Sequence, residues 1–256
     1  MTIEACARLV ERGDPDRFLA VMASPVWTRE ALFPLYAFNL EAARAPWATQ
    51  EPVIAEMRLQ WWRDVVEAAG SGGTPRAHEV AGPLHRLIVD AGLPVDVMDR
   101  LIAARLWDCW REPFADLAAF ETYIEETGAG LMWLAGRALG APDRAEPVLR
   151  GFGWAAGLAN FLRATPELAA RGRHPLPVGE GVADLAGRGL AKIVAARAAR
   201  KDLPKALAPA FLGGWQAERL LRLAVAEPEA VTGGRLVLSE FTRRGSLLWQ
   251  AATGRW

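Results

Sequence analysis

Apolar residues recur at spacings of three and four almost everywhere in this chain, and runs that alternate Val, Ile or Thr with polar residues are missing. A period near 3.6 buries one side of a helix, whereas a half-buried strand needs a period of two. The pattern therefore confines the chain to helices packed on helices. Turn-forming residues divide the segments. Thr28 is placed to cap a helix that runs to about Arg44, stops before Pro46 and has a kink site at Pro34. Glu51 to Ala69 follows, ended by the loop Gly70-Ser-Gly-Gly-Thr-Pro75. Arg76 to Ala91, Val95 to Arg111 and a long segment from Asp116 or Leu117 to Leu139 come next. Glu146 to Thr165 is closed by Pro166. Val182 to Arg200, Lys205 to Ala226 and Leu236 to Ala252 complete a set of about nine to eleven helices. No internal repeat and no long linker separates them, so residues 1–256 read as one all-α domain. The helix from Gly151 to Leu162 is apolar on most sides and belongs at the centre.

Charge narrows the partners. Thirty Lys and Arg cancel thirty Asp and Glu, which excludes the basic excess of a nucleic-acid binder. A hydrophobic content of 52% excludes a disordered chain. Cys6 and Cys109 form no disulfide framework and no metal-ligand spacing, which fits a reducing compartment. The first ten residues contain Glu4 and Arg8 and lack an apolar run. No stretch approaches the roughly 18 to 20 apolar residues that cross a bilayer. The expectation is a cytoplasmic protein that can still touch a membrane surface. Among the eleven tryptophans, Trp249 and Trp256 suit a headgroup zone, but core packing explains tryptophan equally well.

Local clusters have local explanations. There is no phosphate-binding glycine loop, no dinucleotide fingerprint and no H-E-x-x-H or C-x-x-C motif. His78, His85 and His174 read as surface or loop residues. Glu121, Glu125 and Glu126 read as a solvated helix turn, and Asp96 and Asp99 as acids at the positive end of a helix.

Three stretches carry more. They are Asp16-Arg-Phe-Leu-Ala20 with Arg29 and Leu35-Tyr-Ala-Phe-Asn-Leu-Glu41; Met57-Arg-Leu-Gln-Trp-Trp-Arg-Asp64; and Gly157-Leu-Ala-Asn-Phe-Leu-Arg163 with Gly172-Arg-His-Pro-Leu-Pro177. Together with Tyr123-Ile-Glu-Glu-Thr-Gly-Ala-Gly130, their order resembles the squalene/phytoene synthase family. The resemblance implies an isoprenoid-synthase-like helical bundle around a central apolar cavity. The chemistry of such enzymes requires Mg²⁺ to draw off an anionic diphosphate. Carboxylates at i and i+4 on two facing helices supply the oxygen ligands. In the family these are two Asp-x-x-x-Asp motifs.

Neither motif is present at the matching positions. Aligning Tyr36-Ala-Phe-Asn39 with the first puts Ala43, Arg44 and Trp47 where the aspartates belong, and the family's arginine falls on Leu40. Aligning Asn160-Phe-Leu-Arg163 with the second puts Ala164 and Leu168 there. Glu41 and Glu167 are near but off register. The resemblance is greatest to a branch that includes mitochondrial respiratory complex I assembly factor 6 and alphaproteobacterial relatives. It implies a non-catalytic assembly role, with a complex I subunit or intermediate as partner and peripheral contact with the cytoplasmic face of the inner membrane. No catalytic residue, metal or cofactor is then expected. Tyr36, Asn39, Tyr123, Asn160, Arg163 and Arg173 become candidates to line a remnant cavity for a prenyl lipid. Tyr36, Phe38, Trp61 and Trp62 also read as core, and Arg58, Arg63 and Asp64 as surface ion pairs. Two alternatives stay open. One is an active Mg²⁺-dependent head-to-head prenyltransferase with Glu41, Glu167 or Asp64 as substitute carboxylates. The other is a carrier of a prenyl lipid or quinone.

Overall fold

The computed structural model describes residues 3–256. It contains helices and no strand among those residues. In order they are α1 Ile3–Gly13, α2 Pro15–Met22, α3 Arg29–Arg44, α4 Pro52–Gly70, α5 Ala81–Ala91, α6 Val95–Ala104, α7 Leu117–Ile124, α8 Gly130–Ala138, α9 Glu146–Ala170, α10 Val182–Ala198, α11 Ala208–Leu212, α12 Ala217–Ala226, α13 Glu229–Thr232 and α14 Glu240–Thr253. Short 3-10 turns join several of them, and a π-helical turn, Glu125–Ala129, links α7 to α8. No helix among the described residues is long and apolar enough to cross a membrane.

The central helix is α9, as its composition requires. Phe152, Trp154, Ala155, Leu158, Phe161 and Leu162 are all buried, and α8, α10 and α12 pack around it. The closest approach is between Gly128 in the π turn and Gly157 in α9. A Cβ added to either would lie 2.7 to 2.8 Å from the other's Cα. Glycine at both positions lets the backbones meet, and the extra residue in the π turn supplies the local register.

Several boundaries differ from the sequence expectation. Thr28 does not cap α3; it is buried in helical geometry, and its hydroxyl donates to the Pro25 carbonyl at 2.8 Å. The helix itself runs through Pro34 to Arg44. Residues 76–80 are not helical, because His78 folds back to start α5. Its Nδ1 accepts from the amides of Val80 (3.2 Å) and Ala81 (3.4 Å), and its ring packs edge-on against Trp61 and Trp62. Pro166 does not end α9, which continues to Ala170. Proline removes one amide donor, but the burial of Thr165 and Leu168 on either side holds the helix together. The expected helix over 205–226 is split by the turn at Gly213 and Gly214.

The tryptophans divide as well. Trp256 is buried and stacks on Phe211 with ring centroids 3.7 Å apart, so it is core. Trp249 is 53% exposed. Tyr36, Phe38 and Trp62 are buried, and Trp61 is half-buried beside them. Glu121, Glu125 and Glu126 are not a free acidic turn: they pair with Arg188, Arg150 and Arg100 from three other helices.

Candidate functional site

A cavity of about 830 Å³ lies between the α1–α2 corner, α3, α9 and the turn before α12. Asn39, Leu40, Ala43 and Arg44 reach it from α3, Trp47 from the following turn, and Asn160, Arg163, Ala164 and Leu168 from α9. Positions four apart on a helix point the same way, so 164 and 168 share one wall of α9, while Ala43 from α3 and Trp47 from the 3-10 turn after it meet at the opposite side. The five residues that the sequence comparison set against the aspartate motifs, Ala43, Arg44, Trp47, Ala164 and Leu168, all border one space. Of the six candidate lining residues, Asn39, Tyr123, Asn160 and Arg163 border it too. Tyr36 and Arg173 do not. Tyr36 is buried, and its phenol is pushed up to about 12 by that burial, with Arg17 pulling the other way. Arg173 is buried behind the wall. Its guanidinium lies 4.2 Å over the Trp107 ring and donates to the carbonyls of Trp107 and Asp108.

The carboxylates that border the cavity are Asp14, Asp16, Asp108 and Glu167. Each faces an arginine. Asp14 caps α2 and pairs with Arg17. Asp16 holds Arg163 at 2.9 Å and Arg243 at 3.4 Å. Asp108 holds Arg105 at 3.4 Å, and Glu167 holds Arg171 one turn on. No three His, Cys, Asp or Glu side chains converge on one point among the described residues. Glu41 does not border the cavity. Asp64 is engaged elsewhere, with Arg76 at 3.4 Å and Gln60 at 2.8 Å.

One wall is a buried polar network. Tyr123 Oη donates to Asp108 Oδ2 at 2.9 Å and accepts from Arg105 Nη1 at 2.7 Å. Burial raises the Asp108 carboxyl above its ordinary range, with Arg105 opposing. Burial also raises the Tyr123 phenol and lowers the Arg173 guanidinium. The Nε atoms of Arg105 and Arg173 have no partner, nor does the buried Oδ1 of Asn39. Sequence reasoning missed Arg105, Asp108, Asp14 and Asp16 as cavity residues. The available signal was a lone acid within Leu106-Trp-Asp-Cys-Trp110 with an arginine three residues before it.

Comparison with known proteins follows the same lines. The squalene/phytoene synthase family profile matches residues 10–180. The chain is 29% identical to bovine NADH dehydrogenase (ubiquinone) complex I, assembly factor 6, over 68% of this chain and 52% of that protein. It is 28% identical to the human protein with the same coverage. It is 32% identical to the Drosophila melanogaster homolog, over 66% of this chain and 52% of that one. The chain thus spans about half the length of the curated relatives it matches. Among solved structures, a ligand-bound dehydrosqualene synthase superposes with a TM-score of 0.77 at 14% identity, covering 98% of this chain and 95% of that one. A squalene synthase from Alicyclobacillus acidocaldarius gives 0.70 at 16% identity, covering 89% and 94%.

Proposed function

Because the chain belongs to the squalene/phytoene synthase family, we propose that it keeps that family's scaffold without its chemistry and serves in the assembly of respiratory complex I. The names of its bovine, human and fly relatives support the assembly role. The loss of chemistry rests on one observation. The residues aligned with the two motifs, Ala43 and Trp47 with Arg44 between them and Ala164 and Leu168, border one cavity and include no carboxylate, while each carboxylate that does border it is engaged by an arginine. Mg²⁺ needs several oxygen ligands in near-octahedral array, and this donor set does not fit it. The partner is a complex I subunit or assembly intermediate, met at the membrane surface.

Incubating the pure protein with labelled farnesyl or geranylgeranyl diphosphate and Mg²⁺ separates this reading from an active prenyltransferase. No condensed product is expected, and a C30 or C40 hydrocarbon would overturn the non-catalytic reading.

A second reading is favoured by the open cavity and by Asn39, whose buried Oδ1 lacks a donor. A prenyl lipid or quinone bound in the cavity would bury its chain there, and a hydroxyl-bearing headgroup, such as a prenyl alcohol or the quinol form, would donate to that oxygen. Native mass spectrometry of the protein, alone and with added lipid, tests it. A bound lipid of that class supports it, and none in either sample counts against it.

A further inference from the structure

Helix α14 carries an apolar face on its solvent side. A surface helix normally turns charge outward, yet Phe241, Gly245, Leu248, Trp249 and Ala252 are all exposed. Phe241 is 89% and Leu248 72% exposed. At about 100° per residue these five fall within a sector of about 100°. The opposite side is firmly docked. Leu247 is buried with Ala20, Leu212 and Trp215, and Gln250 Nε2 donates to the Trp215 carbonyl at 3.0 Å. The bare face is therefore not a helix waiting to pack on its own core.

Charge identifies what covers it. Residues 235–256 carry four arginines against one glutamate, in a chain whose total charge is zero. Glu240, the one acid, is engaged by Arg243 and Arg244. Arg244 borders the apolar sector, and the Arg255 guanidinium sits 5.8 Å over the Trp249 ring. Two copies meeting on this face would bring like charges together, whereas an anionic surface neutralises them.

We propose that α14 lies in the headgroup zone of an anionic lipid bilayer, with Phe241, Leu248 and Trp249 at the acyl boundary and Arg244 and Arg255 among the phosphates. Tryptophan and arginine beside an apolar helix face suit that zone. The helix is tied to the cavity wall, since Asp16 pairs with both Arg243 and Arg163. This deepens the assembly reading by giving its membrane contact a place, and its test needs no complex I.

Co-sedimentation of the full chain with phosphatidylcholine vesicles, with and without phosphatidylglycerol, reads the contact directly. Binding is expected only with the anionic lipid, weakened by added salt. It should fall roughly tenfold or more in Phe241→Ser/Leu248→Ser and also in Arg244→Glu. Both variants should keep the parent's circular dichroism and melting temperature, because the substituted side chains are exposed. Three results would overturn the proposal. One is no binding by the parent chain, and another is binding unchanged in both variants. The third is a solution dimer that the same substitutions dissociate while vesicles stay unbound, which would assign the face to a second copy.

Discussion

Tyr123 Oη and Asp108 Oδ2 share a hydrogen bond of 2.9 Å inside the protein, and Arg105 closes the triangle by donating to the same phenol oxygen at 2.7 Å. The network brings together the turn after α6 and the end of α7. Tyr123→Phe leaves the carboxylate with Arg105 alone and should cost about 1 to 3 kcal/mol. Asp108→Asn removes the one carboxylate paired with the buried Arg105 and should cost more, about 3 to 5 kcal/mol. Urea unfolding of both variants checks the order, and a Tyr123→Phe midpoint equal to the parent's would show the bond to be idle.

Gly128 and Gly157 meet backbone to backbone, so neither can yield by rotating a side chain. Gly128→Ala should destabilise by about 1 to 3 kcal/mol through overpacking, despite alanine's better helix propensity. The contrast is Gly151→Ala in the same helix α9, where an added Cβ meets nothing within 4 Å. That variant should match or exceed the parent's melting temperature.

Much of this was legible in the sequence, for identifiable reasons. The helical period and the Tyr36, Asn160 and Tyr123 stretches located the scaffold, and spacing of four placed Ala164 and Leu168 on one wall. What the period could not show was the behaviour of single residues against their neighbours. His78 accepts two amides and so starts α5 late, and Pro166 is carried through because Thr165 and Leu168 beside it are buried. α1 and α2 went unread although Cys6, Leu9 and Val10 keep the helical spacing; α2 is two turns long and is fixed by its cap Asp14, which pairs with Arg17. Asp108 escaped because its partners Tyr123 and Arg173 lie 15 and 65 residues away.

Asn39 keeps an amide oxygen buried without a donor, which costs about 1 to 3 kcal/mol. If the residue is retained for a ligand, stability is being given up for it. Asn39→Leu should raise the melting temperature of the ligand-free protein and reduce any lipid binding. A lower melting temperature would show that the oxygen is already satisfied in the folded protein.

The two thiols are held neutral. Burial pushes both Cys6 and Cys109 up to about 11 from an ordinary 9, with neighbouring acids adding to it. A shift of that size leaves about a hundredfold less thiolate at neutral pH. Ellman's reagent at pH 8 should therefore react slowly with half-buried Cys109, and with buried Cys6 only on unfolding. Because each folded thiol binds its proton more tightly than the unfolded chain does, the stability it adds is full below pH 9 and is lost as pH rises toward 11. Cys6→Ser should flatten part of that alkaline decline in a pH series of melts, and an unchanged slope would contradict the burial argument.

A role in complex I assembly is tested in cells. The most direct measurement is the amount of assembled complex I in cells lacking the gene, read as NADH:quinone activity in a native gel. Assembled complex I should fall clearly, and re-expression of the chain should restore it. Fully assembled, active complex I in the deletion strain would contradict that role.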